Sequence, residues 1–260
     1  MEQTNTKMIY FVGAGPGDPD LITVKGLKTL QLADVIIYTD SLVSATLTES
    51  AKPGAEIFKS SGMVLEEMVE LMVKSVKDGK VVVRLHTGDP SIYGAIHEQI
   101  VLLKKQNIKF TVIPGVSSAF AAAAALGIEL TVPELSQTVI FTRADGRTPV
   151  PEKENLASLA EHHATLAIYL SATLASKVTN ELLKAGWAPD TPVAVVQKAS
   201  FADQKIVQTS VSMLEEDMKK NDIKSQAIIF CGNVVNPPQE GHVSKLYDKS
   251  FSHGFRKAKT

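Results

Sequence analysis

The chain has 260 residues, 44% hydrophobic and 21% charged, enough for one large domain or two of about 120 to 130 residues, each with its own core. Twenty-seven Lys and Arg against 28 Asp and Glu leave a net charge of −1, which argues against a nucleic-acid or membrane-surface protein. A single cysteine, Cys231, excludes an intrachain disulfide and a four-cysteine zinc site.

The opening "MEQTNTK" lacks the apolar segment of a signal peptide, and no uncharged apolar run reaches the ~18 residues of a membrane span, so a cytoplasmic location is expected. "MIYFV" (8–12) is the first predicted strand, followed by a glycine loop, a helix over 23–33 and a strand over 34–39. Leu65, Met68, Val69, Met72, Val73 and Val76 recur at steps of three and four and predict a helix within 62–78. A buried strand (80–85), a helix (96–106) and a strand (108–113) come next, and then an alanine-rich helix capped by Ser117 or Ser118. This alternation predicts an α/β fold with a mostly parallel amino-terminal sheet. "LGIELTVPELS" breaks the pattern. The predicted organisation is an amino-terminal lobe over 1–127, a linker over 128–136, a carboxy-terminal lobe over 137–240 and a tail over 241–260.

The second lobe restarts with strands at 137–142 and 164–170 and helices at 155–160 and 174–186. A strand at 192–200, an antiparallel partner at 205–210, a helix at 212–220 and a strand at 226–232 suggest a mixed sheet. Two such lobes imply a cleft, a favoured place for a ligand.

Strand-end loops carry the functional signals. In "GAGPGDP" the glycines fall at positions 1, 3 and 5 (Gly13, Gly15, Gly17), whereas a dinucleotide fingerprint needs 1, 3 and 6. Asp18 takes the sixth place, where it would oppose a pyrophosphate, although Asp40 stands near the position of a ribose-binding acid. In "HTGDPSIYG", Gly88 permits close backbone approach and Pro90 stiffens the turn, while Asp89 either accepts from a ligand or caps the following turn. "IPGVSS" repeats this grammar one strand later. "TRADGRTPVP" offers Arg143 and Arg147, as a solvated turn or as a carboxylate clamp. Arg84, inside an apolar strand, requires an anionic partner from protein or ligand. No metal-binding spacing and no nucleophile elbow is present, and no catalytic residue is assigned.

Together, "VGAGPGDPDLITVKG", "YTDSLV", "RLHTGDPSIYGA", "VIPGVSS" and "TRADGRTPVPEKENLASLA" resemble the tetrapyrrole (uroporphyrinogen-III and corrin/porphyrin) methyltransferases, and within them the precorrin-4 C11-methyltransferase branch of vitamin B12 synthesis. The resemblance spans roughly residues 8 to 235. It implies a cytoplasmic homodimer of two α/β lobes that uses S-adenosyl-methionine, released as S-adenosyl-homocysteine, to methylate precorrin-4 or cobalt-precorrin-4, with no protein-bound metal. It implies donor contacts from Pro16, Gly88, Asp89, Ile92, Tyr93, Ser117, Ser118, Leu170, Ala199 and Ala227. Gly15 and Asp18 then face the macrocycle, whose carboxylates call for cations, here Arg84, Arg143 and Arg147. Any proton handler is left open between Tyr10, His86 and the substrate. Rival readings are a sibling methylase acting at another ring carbon, a nicotinamide-dependent oxidoreductase and a non-catalytic carrier.

Overall fold

Alternation along the first strand decides how the amino-terminal sheet is layered. In β1 (Ile9–Gly13), Ile9 and Phe11 point to one face and Tyr10 and Val12 to the other, and both sets meet apolar neighbours. The computed structural model describes residues 8–238 and 244–258. The chain divides into two compact units: one runs to Ala121 and takes in Ser200–Ala202, and the other holds Ala122–Ala199 and the residues from Asp203 onward.

The first unit is a five-stranded, all-parallel sheet in the order β3-β2-β4-β1-β5. Its other strands are β2 (Val35–Tyr38), β3 (Glu56–Lys59), β4 (Val82–His86) and β5 (Phe110–Ile113). Helix α1 (Val24–Leu32) is capped by the Thr23 hydroxyl, which accepts from the Gly26 amide at 3.1 Å, and it covers one face through Leu27 and Leu30. The opposite face is covered by α2 (Leu65–Lys77) and α3 (His97–Lys105), through Met68, Val69, Met72, Val73 and Leu103. At the start of α2 the Glu67 carboxylate reaches back to the Val64 amide (3.0 Å), half of a capping box. α4 (Ser118–Leu126) follows β5, with the Ser117 carbonyl accepting from Phe120 and Ala121.

β3 is absent from the sequence reading for a physical reason. It is an edge strand, "EIFK", that buries no side chain fully and so carries no apolar signature. β1 leads to β2 and β4 leads to β5, in opposite directions across the sheet, with α1 and α3 on opposite faces. β1 and β4 are therefore the neighbours at which the winding reverses, the switch point where open α/β sheets hold ligands.

The second unit carries a mixed sheet in the order β6-β7-β10-β8-β9. β6 (Val139–Arg143) runs parallel to β7 (Thr165–Tyr169), while β10 (Ala227–Cys231) is antiparallel to both β7 and β8 (Pro192–Gln197). β9 (Lys205–Ser210) is the antiparallel partner of β8 read from the sequence. α5 (Leu156–Ala160), α6 (Ala175–Lys184) and α7 (Leu214–Lys220) bury Leu156, Val178, Leu182, Leu214 and Met218 against Leu166, Ile168, Val193, Val195 and Ile229. Cys231 lies in this core, and burial pushes its thiol pKa upward. The segment read as a linker is tied to β7: Thr165 donates through its hydroxyl to the Leu130 carbonyl (3.0 Å), and its amide donates to Ser136 Oγ (3.1 Å).

Of the expected tail, residues 241–243 and 259–260 lie outside the described residues, as do residues 1–7, which were read for a leader. Its described part folds around Arg256, whose guanidinium donates to the carbonyls of Leu246 and Asp248, both at 2.6 Å. No described helix is long and apolar enough to cross a membrane.

Candidate functional site

The three glycine loops predicted from sequence leave the carboxyl ends of the adjacent strands β4, β1 and β5, and they touch backbone to backbone. Gly15 and Gly88 exchange two main-chain hydrogen bonds, at 3.3 and 2.8 Å. A Cβ on Gly13 would lie 2.6 Å from Gly115 Cα and 2.7 Å from the Gly88 carbonyl, and one on Gly115 would collide with that same carbonyl. The glycines are thus required by one another. The Gly15 amide is spent on Gly88, which removes it from the pyrophosphate cradle that a nicotinamide reading needs.

Gly15 and Pro16 are buried, and Asp18 caps the short turn Pro19–Leu21 by accepting from the Asp20 amide at 2.9 Å. Two residues with no sequence signal complete this loop. Ser200 Oγ accepts from the Asp18 amide (2.9 Å), and the Phe201 ring occupies the space that a Cβ on Gly17 would need. The motif "KASF" has neither glycine nor charge spacing to advertise that task.

Asp89 ties two loops together. Oδ1 accepts from the Ser91 amide and Oδ2 from the Gly115 amide, each at 2.8 Å, while its carbonyl accepts from Ile92. Of the two sequence readings, the turn-capping one describes these bonds, and each oxygen retains a second lone pair for a ligand. Gly88 (φ +60°) faces the start of α4: a Cβ there would lie 3.8 Å from Ser117 Cα and from the Ser118 nitrogen. Ile92 and the exposed Tyr93 follow in the same loop, with Tyr93 in the left-handed region (φ +53°).

Beneath this loop lies a row of buried polar side chains. Arg84 is only 5% exposed, and its guanidinium donates to the Ile37 and Leu85 carbonyls and the Thr39 hydroxyl, at 3.1 to 3.2 Å. Carbonyl oxygens thus take the place of the anion expected from sequence, and burial lowers its pKa to about 10. His86, 4% exposed, stands 5.8 Å from the Phe11 ring. Burial first, and the Arg84 cation second, push its pKa down to about 3, so the ring is neutral. A buried, neutral His86 is poorly placed to exchange protons with a substrate. Tyr10 lies three residues before Gly13 on β1, about 10 Å from the loops. Asp40 accepts from the Ser61 amide at 3.2 Å, beyond the end of β2.

In the second unit the sheet register gathers the remaining candidates at one end. Ala227 pairs with Gln197, just before Ala199, and Ile229 pairs with Ile168, which brings Leu170 level with Ala227. Arg143 pairs with Tyr169 at the same end. The backbone there is unusual: Leu170 (φ +52°), Lys198 (φ +50°), Ser200 (φ +69°) and Gln226 (φ +52°) are all left-handed without being glycine. Leu170 is also 67% exposed, anchored by its neighbour Ser171, whose buried hydroxyl donates to Tyr169 and accepts from Ala144. Leu170 thus combines a left-handed backbone with an exposed apolar side chain. Ala199 and Ala227 are buried.

Arg143 donates to the Thr148 carbonyl (3.0 Å) and the Pro149 carbonyl (2.7 Å), so it shapes its own loop. Asp145, ion-paired with Lys177 at 3.1 Å, holds the other side, and that hydrogen bond lowers its pKa. Arg147 is exposed and makes no ion pair among the described residues.

The sequence profile of the Tetrapyrrole (Corrin/Porphyrin) Methylases matches residues 8–215. The chain is 58% identical to a cobalt-precorrin-4 C(11)-methyltransferase of Priestia megaterium, over 96% of this chain and 97% of that one. Among solved structures, it superposes on a cobalamin biosynthetic enzyme, cobalt-precorrin-4 methyltransferase CbiF, with a TM-score of 0.88 and 56% identity, covering 91% of this chain and 99% of the other. A uroporphyrin-III C-methyltransferase of Thermus thermophilus, solved with S-adenosyl-homocysteine, matches with a TM-score of 0.74 and 28% identity, covering 88% and 98%.

Proposed function

Because the chain belongs to the tetrapyrrole (corrin/porphyrin) methylases, we propose that it moves a methyl group from S-adenosyl-methionine to C11 of cobalt-precorrin-4 in cobalamin biosynthesis. The near-full-length likeness to the Priestia enzyme carries this reading. The site's chemistry fits such a donor. The glycine loops offer close backbone approach at Gly88 and Ser118 and a carboxylate at Asp89, and the second unit offers an exposed leucine with left-handed backbone at Leu170.

When bound, S-adenosyl-methionine supplies a methyl group already activated by its positive sulfur. The chain's own residues then have chiefly to bind and align. The residues that hold the donor in this reading are Pro16, Gly88, Ile92, Tyr93, Ser117, Ser118, Leu170, Ala199 and Ala227. Asp89 fixes the loop geometry and offers its remaining lone pairs to a ribose hydroxyl or the methionyl ammonium. Holding two reactants in line can contribute about 7 to 11 kcal/mol at best. Arg147, and Arg143 as the brace of its loop, meet the acetate and propionate carboxylates, while Gly15 and Asp18 shape the turn that faces the macrocycle. Arg84 acts from beneath that surface.

Paired incubations with cobalt-precorrin-4 and metal-free precorrin-4 test the reading by mass spectrometry and NMR of the product. Methylation at C11 with the cobalt form preferred supports it. Methylation at another carbon, or none, overturns it. The family resemblance further implies a cytoplasmic homodimer. Sedimentation at about twice the 28.0 kDa chain mass supports that assembly, and sedimentation as a single chain excludes it.

A further inference from the structure

We propose that Gln99 is a positioning residue that holds the main chain of Ala95 from below, and so fixes the turn that presents Ile92 and Tyr93 to the methyl donor. The proposal rests on the donor-binding reading of this loop.

The turn needs such support. Its first half is closed by Asp89, which accepts from the Ser91 and Ile92 amides through side chain and carbonyl. Its second half is conformationally costly: Tyr93 (φ +53°) and Ala95 (φ +49°) are both left-handed, and neither is glycine. Between them, Gly94 is pressed so close to the Pro90 carbonyl that any side chain would collide with it. A buried side chain meets this segment. Gln99, 2% exposed and on the first turn of α3, donates through Nε2 to the Ala95 carbonyl at 2.7 Å.

This side chain is expensive where it stands. Gln99 Oε1 is buried without a hydrogen-bond partner among the described residues. An apolar side chain of similar size would avoid that desolvation cost. What offsets it is the bond that Nε2 makes to the loop. Helix α3 therefore holds Ala95, a left-handed residue of the turn.

The test uses the full chain with Gln99→Met and Gln99→Leu, which remove the bond while keeping bulk. Amide hydrogen exchange over residues 92–96 is measured without ligand, and S-adenosyl-homocysteine affinity is measured by calorimetry. Expected are faster exchange confined to this segment and at least about tenfold weaker binding for both variants. Unchanged affinity in folded variants, or exchange rising uniformly along the chain, overturns the proposal. If Gln99→Met does not fold, Gln99→Leu decides by the same two readouts. Wild-type protein that binds no S-adenosyl-homocysteine overturns the donor reading itself, and the exchange data then still decide whether this residue holds the turn.

Discussion

Acidification to pH 5 should cost this protein about 2 kcal/mol through His86 alone. In the unfolded chain the imidazole titrates near 6.5, so at pH 5 it is about 97% protonated. In the folded chain burial and the Arg84 cation hold its pKa at about 3, and the ring stays neutral. The sign follows from proton counts. The unfolded state binds the extra proton, so stability is fully present above pH 6.5 and is lost as pH falls towards the folded value. Integrated from pH 7.5 to 5, the loss is RT ln(1 + 10^1.5), about 2 kcal/mol. That pH lies well above the folded pKa, so the figure depends almost wholly on the unfolded-state proton. Urea unfolding of wild type and His86→Asn at both pH values isolates the contribution, because the variant keeps every other titrating group. Wild type should lose about 2 kcal/mol more than the variant on acidification. Equal losses would mean that the imidazole holds its proton as well folded as unfolded, and the account of a sealed, cation-flanked ring would be wrong.

Other outcomes follow from the loop geometry. Asp89→Ala removes the acceptor of both the Ser91 and Gly115 amides. It should cost about 3 kcal/mol or more in urea unfolding and weaken S-adenosyl-homocysteine binding in calorimetry, whereas an unchanged unfolding midpoint would deny the staple. Gly115→Ala drives a methyl group into the Gly88 carbonyl and should abolish donor binding or folding by circular dichroism, while Gly62→Ala, with nothing within 4 Å, should leave both intact. Arg143→Ala frees the 144–150 loop and should raise KM for the tetrapyrrole more than for the donor. Equal changes in both constants would count against that role.

Much of this was legible because strands buried on both faces announce themselves. "VIIY" and "AIIFC" are apolar throughout, and α2 carries its stripe at steps of three and four. The glycine loops were visible as punctuation, but their reason was not: Gly13, Gly88 and Gly115 are needed by one another across three strands, and spacing along one loop cannot reveal that. Arg84 was flagged as a charge in need of a partner, yet sequence could not say that carbonyls of β2 and β4 would serve. Gln99 was invisible because a glutamine on a helix is ordinarily a solvated residue, and only the fold turns it inward onto Ala95. Edge strand β3 and the Ser200–Phe201 contact escaped for the same reason, since neither has an apolar period or a motif of its own.

The bond from the Asp18 amide to Ser200 spans 182 residues of chain. At roughly 5 to 20 residues per second, a ribosome finishes the opening turn about 10 to 35 seconds before the serine that braces it is made. During that interval the nascent first unit lacks both this acceptor and the ring that covers Gly17. A gene cut after Ala121 would therefore yield a first fragment still missing two of its own pieces, and supplying the second half as a separate polypeptide would have to deliver them in trans.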